Sequence, residues 1–361
     1  MTTSTSAQDV NPQMVTLARM SRDLRQAQLS KLLSVAQGTV SKIESGLMPV
    51  SDELLHRLCV ALDYPAGFFR SPEQVDGLGV PEFYHARKRK SVPVHVLERV
   101  HAHVTIRRIH VERLLRSYPV EYDLFPLFPI SEWDNPAKVA RTVRAQMEFP
   151  SGPVFNLTEM VERFGGVIVP CDFQSAQVDG FSRWRWQLRP PLFFMSRHLP
   201  PDRWRWTLAH ELGHVVMHTN QHASDEMEDE ANRFAEELLM PESLIKPHLV
   251  NLSFGRLAGL KTYWKVSMQA LISRSYHLGL ITDRQRRYLY QQLSGAGYRM
   301  REPADLDPPV ESPVTLNAML TYHRETLGYD ITELSATLSL NEPELRQMYG
   351  IEGGRALHVV R

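Results

Sequence analysis

Thr207-Leu-Ala-His-Glu-Leu-Gly-His-Val-Val-Met-His218 decides how this chain is read, and within it His210-Glu-Leu-Gly-His214 forms an H-E-x-x-H pattern. On a helix, residues four apart lie on one face, about a turn above each other. His210 and His214 can then aim both imidazoles at one ion, as a zinc site built on a single helix requires. Glu211 sits one residue round, beside such an ion, where it can take a proton from water. At about 100° per residue, Leu208, Leu212 and Val215 gather on one side and His210, His214 and His218 on the other. The helix is therefore expected to press a leucine face into a core and open a histidine face to a cleft. Gly213 is a poor helix former, tolerated where another backbone comes close.

A third ligand is sought in Asp225-Glu-Met-Glu-Asp-Glu-Ala-Asn-Arg-Phe-Ala-Glu-Glu-Leu-Leu-Met-Pro241, a second helix ended by its proline. Its apolar stripe is Met227, Ala231, Phe234, Ala235, Leu238 and Leu239. On the helical wheel Glu226 and Asp229 point away, Glu230 lies on the flank and Glu228 falls within the stripe. A carboxylate aimed at a core is costly without a partner, and a metal is such a partner. Asn232, one turn later, could orient a histidine ligand from behind. His210, His214 and Glu228 plus a water make the open, three-ligand layout of a catalytic zinc. His218 continues the row of histidines and reads as a satisfied neighbour rather than a ligand.

The N-terminal region reads differently. Residues 13–24 are helical, and Leu29, Leu32 and Leu33 then form a short helix face. A tight connection at Ser34-Val35 leads to a second helix with Val40 and Ile43 inward, which stops at Gly46. Ser51 can cap the next helix. This is the helix-turn-helix plan. The outward set Gln37, Gly38, Thr39, Ser41 and Lys42 is short or bidentate and suits a major groove. Gln26 is placed to hold a phosphate.

Between these regions, residues 83–118 carry nine Lys or Arg against two acids, with five histidines. A long helix is expected over 94–118. Its apolar side (Val96, Val100, Val104, Ile109, Leu114, Leu115) favours packing on the catalytic domain over gripping phosphates. A Pro-rich strap follows. Before the metal helix come a helix over 156–164 and strands at 167–170, 179–184 and 192–196, a small sheet whose edge could hold an extended peptide. Trp184, Trp186, Trp204 and Trp206 read as packing, and Cys171 as a small core residue. Arg203, His218 and residues 251–300 are open candidates for an oxyanion donor. Residues 315–350 read as two or three short helices of undecided role.

Two resemblances are explicit. Gln26…Leu29…Leu32…Val35…Gln37-Gly-Thr-Val-Ser-Lys-Ile-Glu-Ser-Gly46 resembles the XRE (lambda-repressor-like) family, which implies a five-helix, usually dimeric DNA-binding domain. Gly180-Phe181, Arg203…Thr207 to His218 and Glu228-x-x-Ala-Asn-Arg-Phe-Ala-x-x-Leu-Leu-Met-Pro241 resemble the ImmA/IrrE metallopeptidases. That resemblance implies a gluzincin-like Zn2+ peptidase with His210, His214 and Glu228 as ligands and Glu211 as base, with Asn232 on the family's Asn/Asp position. The family's known targets are XRE-type repressors. Here such a domain lies in the same chain, so the protein substrate is left open among a repressor, a toxin-like partner and the chain itself.

The fold expected is mainly α with a small β-sheet. The expected divisions are a disordered lead-in at 1–10, the helix-turn-helix domain at 11–72 and a basic connector and linker at 73–136. The peptidase domain follows at 137–300 and a helical module at 301–361. Lys+Arg and Asp+Glu balance at 41 each, so net charge names no partner. Two distant cysteines suggest a reducing cytoplasm rather than a disulfide framework. No apolar run approaches a membrane span and the N-terminus has no signal-peptide pattern. The function expected is a homodimeric, operator-binding regulator with a zinc endopeptidase that cuts a partner protein in a stress, prophage or toxin–antitoxin setting. The rival is a regulator or antitoxin whose metal domain senses a ligand or partner without proteolysis.

Overall fold

The computed structural model describes residues 10–75, 92–119, 125–133, 135–149, 151–183, 190–218 and 224–351. The lead-in, the Lys/Arg run at 87–90, Trp184 and Trp186 fall outside them. The chain is mainly helical with one small sheet, and it divides into two compact units.

The first unit takes residues from both ends of the chain: 10–75, 92–119 and 317–351 among those described. It begins with five helices: α1 (Pro12–Ser21), α2 (Gln26–Leu32), α3 (Gln37–Glu44), α4 (Asp52–Leu62) and α5 (Ala66–Phe69). Asn11 and Ser51 cap α1 and α4 through their side chains. Leu17, Leu29, Leu33, Leu58 and Phe69 make its fully buried centre.

The long helix α6 (Val94–Leu115) belongs to this unit. The expectation that it packs on the catalytic domain is corrected: it lies against α1, and Val100, Val104, Ile109 and Leu114 on its apolar side are buried. Its charges are used internally. Arg108 holds Glu112 at 2.7 and 2.8 Å and donates to the Gln74 carbonyl at 3.2 Å. Arg113 grips Glu73 and also donates to Thr337 O and Ser339 Oγ at 2.9 and 2.7 Å. The boundaries drawn at 72/73 and 300/301 therefore do not follow the compact units.

The second unit holds the remaining described residues up to Leu316. Its elements are α7 (Ile130–Trp133), α8 (Pro136–Gln146), α9 (Leu157–Arg163), the strands β1 (Val167–Cys171), β2 (Gly180–Arg183) and β3 (Leu192–Ser196), then α10 (Pro201–Met217) and α11 (Asp225–Leu239). The helices α12 (Glu242–Leu249), α13 (Phe254–Trp264), α14 (Met268–His277) and α15 (Asp283–Gly295) follow. The sheet order is β1-β3-β2, with β1 parallel and β2 antiparallel to β3. β2 is thus an edge strand, and it lies beside α10.

Two glycines set the spacing. A Cβ on Gly213 would stand 2.9 Å from Phe234 Cδ1, so only glycine lets α10 and α11 cross this closely. A Cβ on Gly180 would stand 2.9 Å from Met195 Sδ and 3.1 Å from Thr207 Cγ2, so glycine lets β2 press onto α10. As a result α10 is buried on every side from Thr207 to Met217. The histidine face is covered rather than open, because α11 lies over it. Trp204 is buried and donates to Thr158 Oγ1 at 2.9 Å, a packing role.

The start of α10 is anchored by buried ions. Lys261 is fully buried and bonds Asp202, with Glu302 at 3.0 Å and Asp307 at 3.3 Å. Arg205 pairs with Glu311 and donates to Val154 O at 2.7 Å. Asp307 keeps Arg301 as a partner, but removing the Lys261 cation would take the shared positive charge from buried Asp202 and Glu302, which costs about 3–5 kcal/mol. Lys261→Met is accordingly expected to lower the unfolding free energy of the second unit, read from urea titration, by that amount, and an unchanged free energy contradicts it. In the first unit, burial and then the nearby Arg113 and Arg107 hold the His110 pKa well below its ordinary 6.5. Burial works to raise the Glu73 carboxyl, but Arg113 and Ser71 overcome it and bring its pKa to about 2. Unfolding lets His110 take up a proton below pH 6.5 and Glu73 below 4.5. Stability of the first unit against urea should therefore fall on acidification below pH 6.5, and again between 4.5 and about 2. A stability that rises over this range would be inconsistent.

Candidate metal centre and reading helix

Three side chains from two helices meet in the second unit. His210 and His214 of α10 and Glu228 of α11 each offer a ligand atom, all within 4.8 Å of one another. The two Nε2 atoms are 3.1 Å apart. Glu228 Oε1 is 3.1 Å from His214 Nε2, and Oε2 is 3.8 Å from His210 Nε2. All three residues are over nine-tenths buried. On α11, Glu226 and Asp229 are exposed and Glu230 is half-buried, while Glu228 turns inward.

The outer nitrogens set how the rings are turned. His210 Nδ1 lies 3.0 Å from Asn232 Oδ1, an acceptor for its N–H, which turns His210 Nε2 toward the convergence. His218, which caps the C-terminus of α10, donates from Nε2 to Glu230 Oε2 at 2.8 Å. Its Nδ1 is then an acceptor and takes the Nδ1–H of His214 at 3.0 Å. His214 Nε2 is turned toward the convergence in the same way. Two imidazole nitrogens and a carboxylate thus meet in a buried place, a donor set that suits a cation. For zinc–nitrogen bonds of about 2.0–2.1 Å, a tetrahedral edge is about 3.3 Å, close to the spacing found. The residues fit a metal.

The sequence placed His218 next to the site without a definite task, and the structure puts it behind His214, on the side away from the convergence. Glu230 is also drawn in. Burial raises its carboxyl above the ordinary value, Glu226 adds to this, and Arg233 opposes it. Ser182 was missed. Its hydroxyl donates to Glu211 Oε2 at 2.9 Å and to the Glu211 carbonyl at 3.2 Å. Ser182 stands two residues after Gly180 on the edge strand, so strand alternation turns both toward α10, a signal present in Gly180-Phe-Ser182. Arg203 is not free to serve an oxyanion: it clamps Asp179 Oδ2 at 3.0 and 2.7 Å.

In the first unit α3 presents Gln37, Gly38, Ser41 and Lys42 to solvent, with Thr39 half-buried. Gln26 lies beneath them. Gln37 Nε2 donates to Gln26 Oε1 at 2.8 Å, and Gln26 Nε2 donates to Glu44 Oε2 at 2.8 Å. Arg19 closes the ladder on Glu44 at 2.5 and 2.9 Å. Gln26 therefore fixes the amide of Gln37, leaving that side chain preset for an edge of paired donor and acceptor.

Residues 161–276 match the model of the IrrE N-terminal-like domain family, and residues 17–69 match the helix-turn-helix family. No curated protein matches the chain. The chain thus carries a DNA-binding helix-turn-helix domain followed by a metallopeptidase-like domain, in the order read from the sequence. The match at 161–276 spans the sheet, the histidine–glutamate triad and α14 as far as Tyr276.

The relay Glu230–His218–His214 makes a prediction that does not involve turnover. Loss of a partner behind a metal-binding histidine lowers metal affinity about 10–100-fold. His218→Phe should show that loss of zinc affinity in chelator competition, with the metal-free fold retained. An affinity equal to the parent's would remove the relay from the account.

Proposed function

We propose that the chain is a cytoplasmic, operator-binding transcription regulator whose second unit is a zinc endopeptidase that cuts a repressor or another partner protein, in a stress, prophage or toxin–antitoxin response. The supporting observation is the convergence of two Nε2 atoms and a carboxylate within 4.8 Å of one another, with Glu211 on the same helix turn. His210, His214 and Glu228 would hold Zn2+, with Asn232 and His218 fixing the tautomers. The ion, when bound, supplies Lewis acidity toward a peptide carbonyl. Glu211, aimed by Ser182, takes the proton of the attacking water and passes it to the leaving amine. Among the described residues β2 stands at the edge of the sheet beside this carboxylate, and an extended substrate segment could add to it as a further strand. That fits a protein substrate better than a small molecule.

On DNA, Gln37, Thr39, Ser41 and Lys42 would face the major groove, with Gln26 acting through Gln37. A pair of chains would serve a palindromic operator. Glu211→Gln should abolish cleavage of a co-expressed repressor while zinc content stays at one per chain. Equal cleavage by parent and variant would leave the rival, a metal domain that senses without proteolysis. Lys42→Ala should weaken operator binding and reduce its salt slope by about one.

A further inference from the structure

The C-terminal segment repeats the N-terminal one. Helix α16 (Thr315–Thr321) runs into a π-helical turn at Tyr322–Thr326, and α17 (Ile331–Leu338) and α18 (Glu342–Tyr349) follow. At a constant offset of 305 positions and without a gap, Met14, Thr16 and Arg19 fall on Met319, Thr321 and Arg324. Leu29-Ser30 and Leu33-Ser34 fall on Leu334-Ser335 and Leu338-Ser339.

The backbone agrees at the same offset. Asp23 (φ 56°) matches Gly328 (φ 75°), and Ser34 (φ 50°) matches Ser339 (φ 53°), both pairs in the left-handed region where turns are made. The tight turn is closed by Val35 N–H to Ser30 O at 3.0 Å in one copy and by Leu340 N–H to Ser335 O at 3.1 Å in the other. The second helix is opened alike: Arg25 N–H donates to Gln28 at 2.8 Å and Asp330 N–H to Glu333 at 2.9 Å. Leu29, Leu33 and Val40 are buried, as are Leu334, Leu338 and Leu345.

The difference lies in the third helix. In the first copy its outward side is free and polar. In the second copy the place of Thr39 is taken by Glu344, which is engaged by Arg22 at 2.9 and 2.7 Å. Arg22 is itself held by Leu62 O at 2.8 Å and Asp63 O at 3.0 Å, with its guanidinium over the Tyr64 ring. Asn341, at the place of Ala36, donates to Asp63 Oδ1 at 2.6 Å. Tyr349, at the place of Glu44, meets His110 at 2.6 Å. The helix that would enter a groove is therefore docked on the first copy and on α6, and two acids in its first turn would repel phosphates.

We infer that residues 317–350 are a second helix-turn-helix that has no reading role and serves as the docked brace of the first, so that each chain brings one reading helix to DNA. The contact is one-sided. Leu327, at the place of Arg22, has no matching ion pair with Thr39, so the two copies are not related as the halves of a symmetric dimer. The DNA part of this inference rests on the proposed operator binding, whereas the docking part does not.

The test uses the full chain and a fluorescent duplex selected by it from a random-sequence pool. Arg346→Ala with Gln347→Ala, at the places of Ser41 and Lys42, should leave affinity within about twofold, while Gln37→Ala with Lys42→Ala should lower it more than about tenfold. An inverted-repeat duplex should carry two chains. In a DNA-free arm, Glu344→Ala should speed amide exchange across 331–349 by about tenfold or more. Adding Arg22→Ala should cause little further change, because the pair acts as a unit. A drop in affinity from the 346/347 variant, or one chain occupying both half-sites, overturns the single-reader claim. Unchanged exchange in Glu344→Ala overturns the brace. Failure to select any duplex would instead count against operator binding, and the exchange arm would still decide the docking.

Discussion

Two imidazole nitrogens and a carboxylate, drawn to within 4.8 Å of one another in a buried place, form a donor set that suits a cation. Much of the second unit serves to hold them in that position. The glycine at 213 lets α11 come close enough to bring Glu228 over the histidines. The glycine at 180 brings the edge strand, and with it Ser182, onto Glu211. Asn232 on one side and the His218–Glu230 relay on the other turn both Nε2 atoms inward. The buried ions around Lys261 and Arg205 fix the first turns of the same helix. Such neighbours stiffen ligands that would otherwise swing to separate partners.

The first unit applies the same economy of polar contacts to a surface. Its reading helix stays exposed, and the Arg19–Glu44–Gln26–Gln37 ladder sets a side chain before any ligand arrives. Arg113 ties the end of the five-helix domain to the long helix and the C-terminal copy through Glu73, Thr337 and Ser339. A segment more than two hundred residues away in sequence thereby becomes part of the DNA-binding unit, which gives the otherwise puzzling tail a structural purpose.

Local periodicity carried most of what was legible in advance. The wheel of 225–241 singled out Glu228 among five neighbouring acids because only that position coincides with the stripe Met227–Ala231–Phe234. The three strands were readable from short apolar or aromatic runs, and the helix-turn-helix from its apolar faces and turn residues. What could not be read was set by distant partners. The long helix carries an apolar side that suits either neighbour, and only its packing against α1 decides between them. Ser182 is one hydroxyl in a short strand until a carboxylate is placed opposite. The repeat at 317–350 hides because its matches are few and its outward residues have diverged. It shows itself through paired left-handed turns at Asp23/Gly328 and Ser34/Ser339, a backbone feature that composition does not carry.

The central claim concerns the occupant of the buried triad, and X-ray absorption at the zinc edge of the reconstituted full chain addresses it most directly. The account predicts one zinc per chain with two imidazole nitrogens at about 2.0–2.1 Å, light-atom oxygen completing the shell and no sulfur. Absence of stoichiometric zinc, or a sulfur-containing shell, would contradict it.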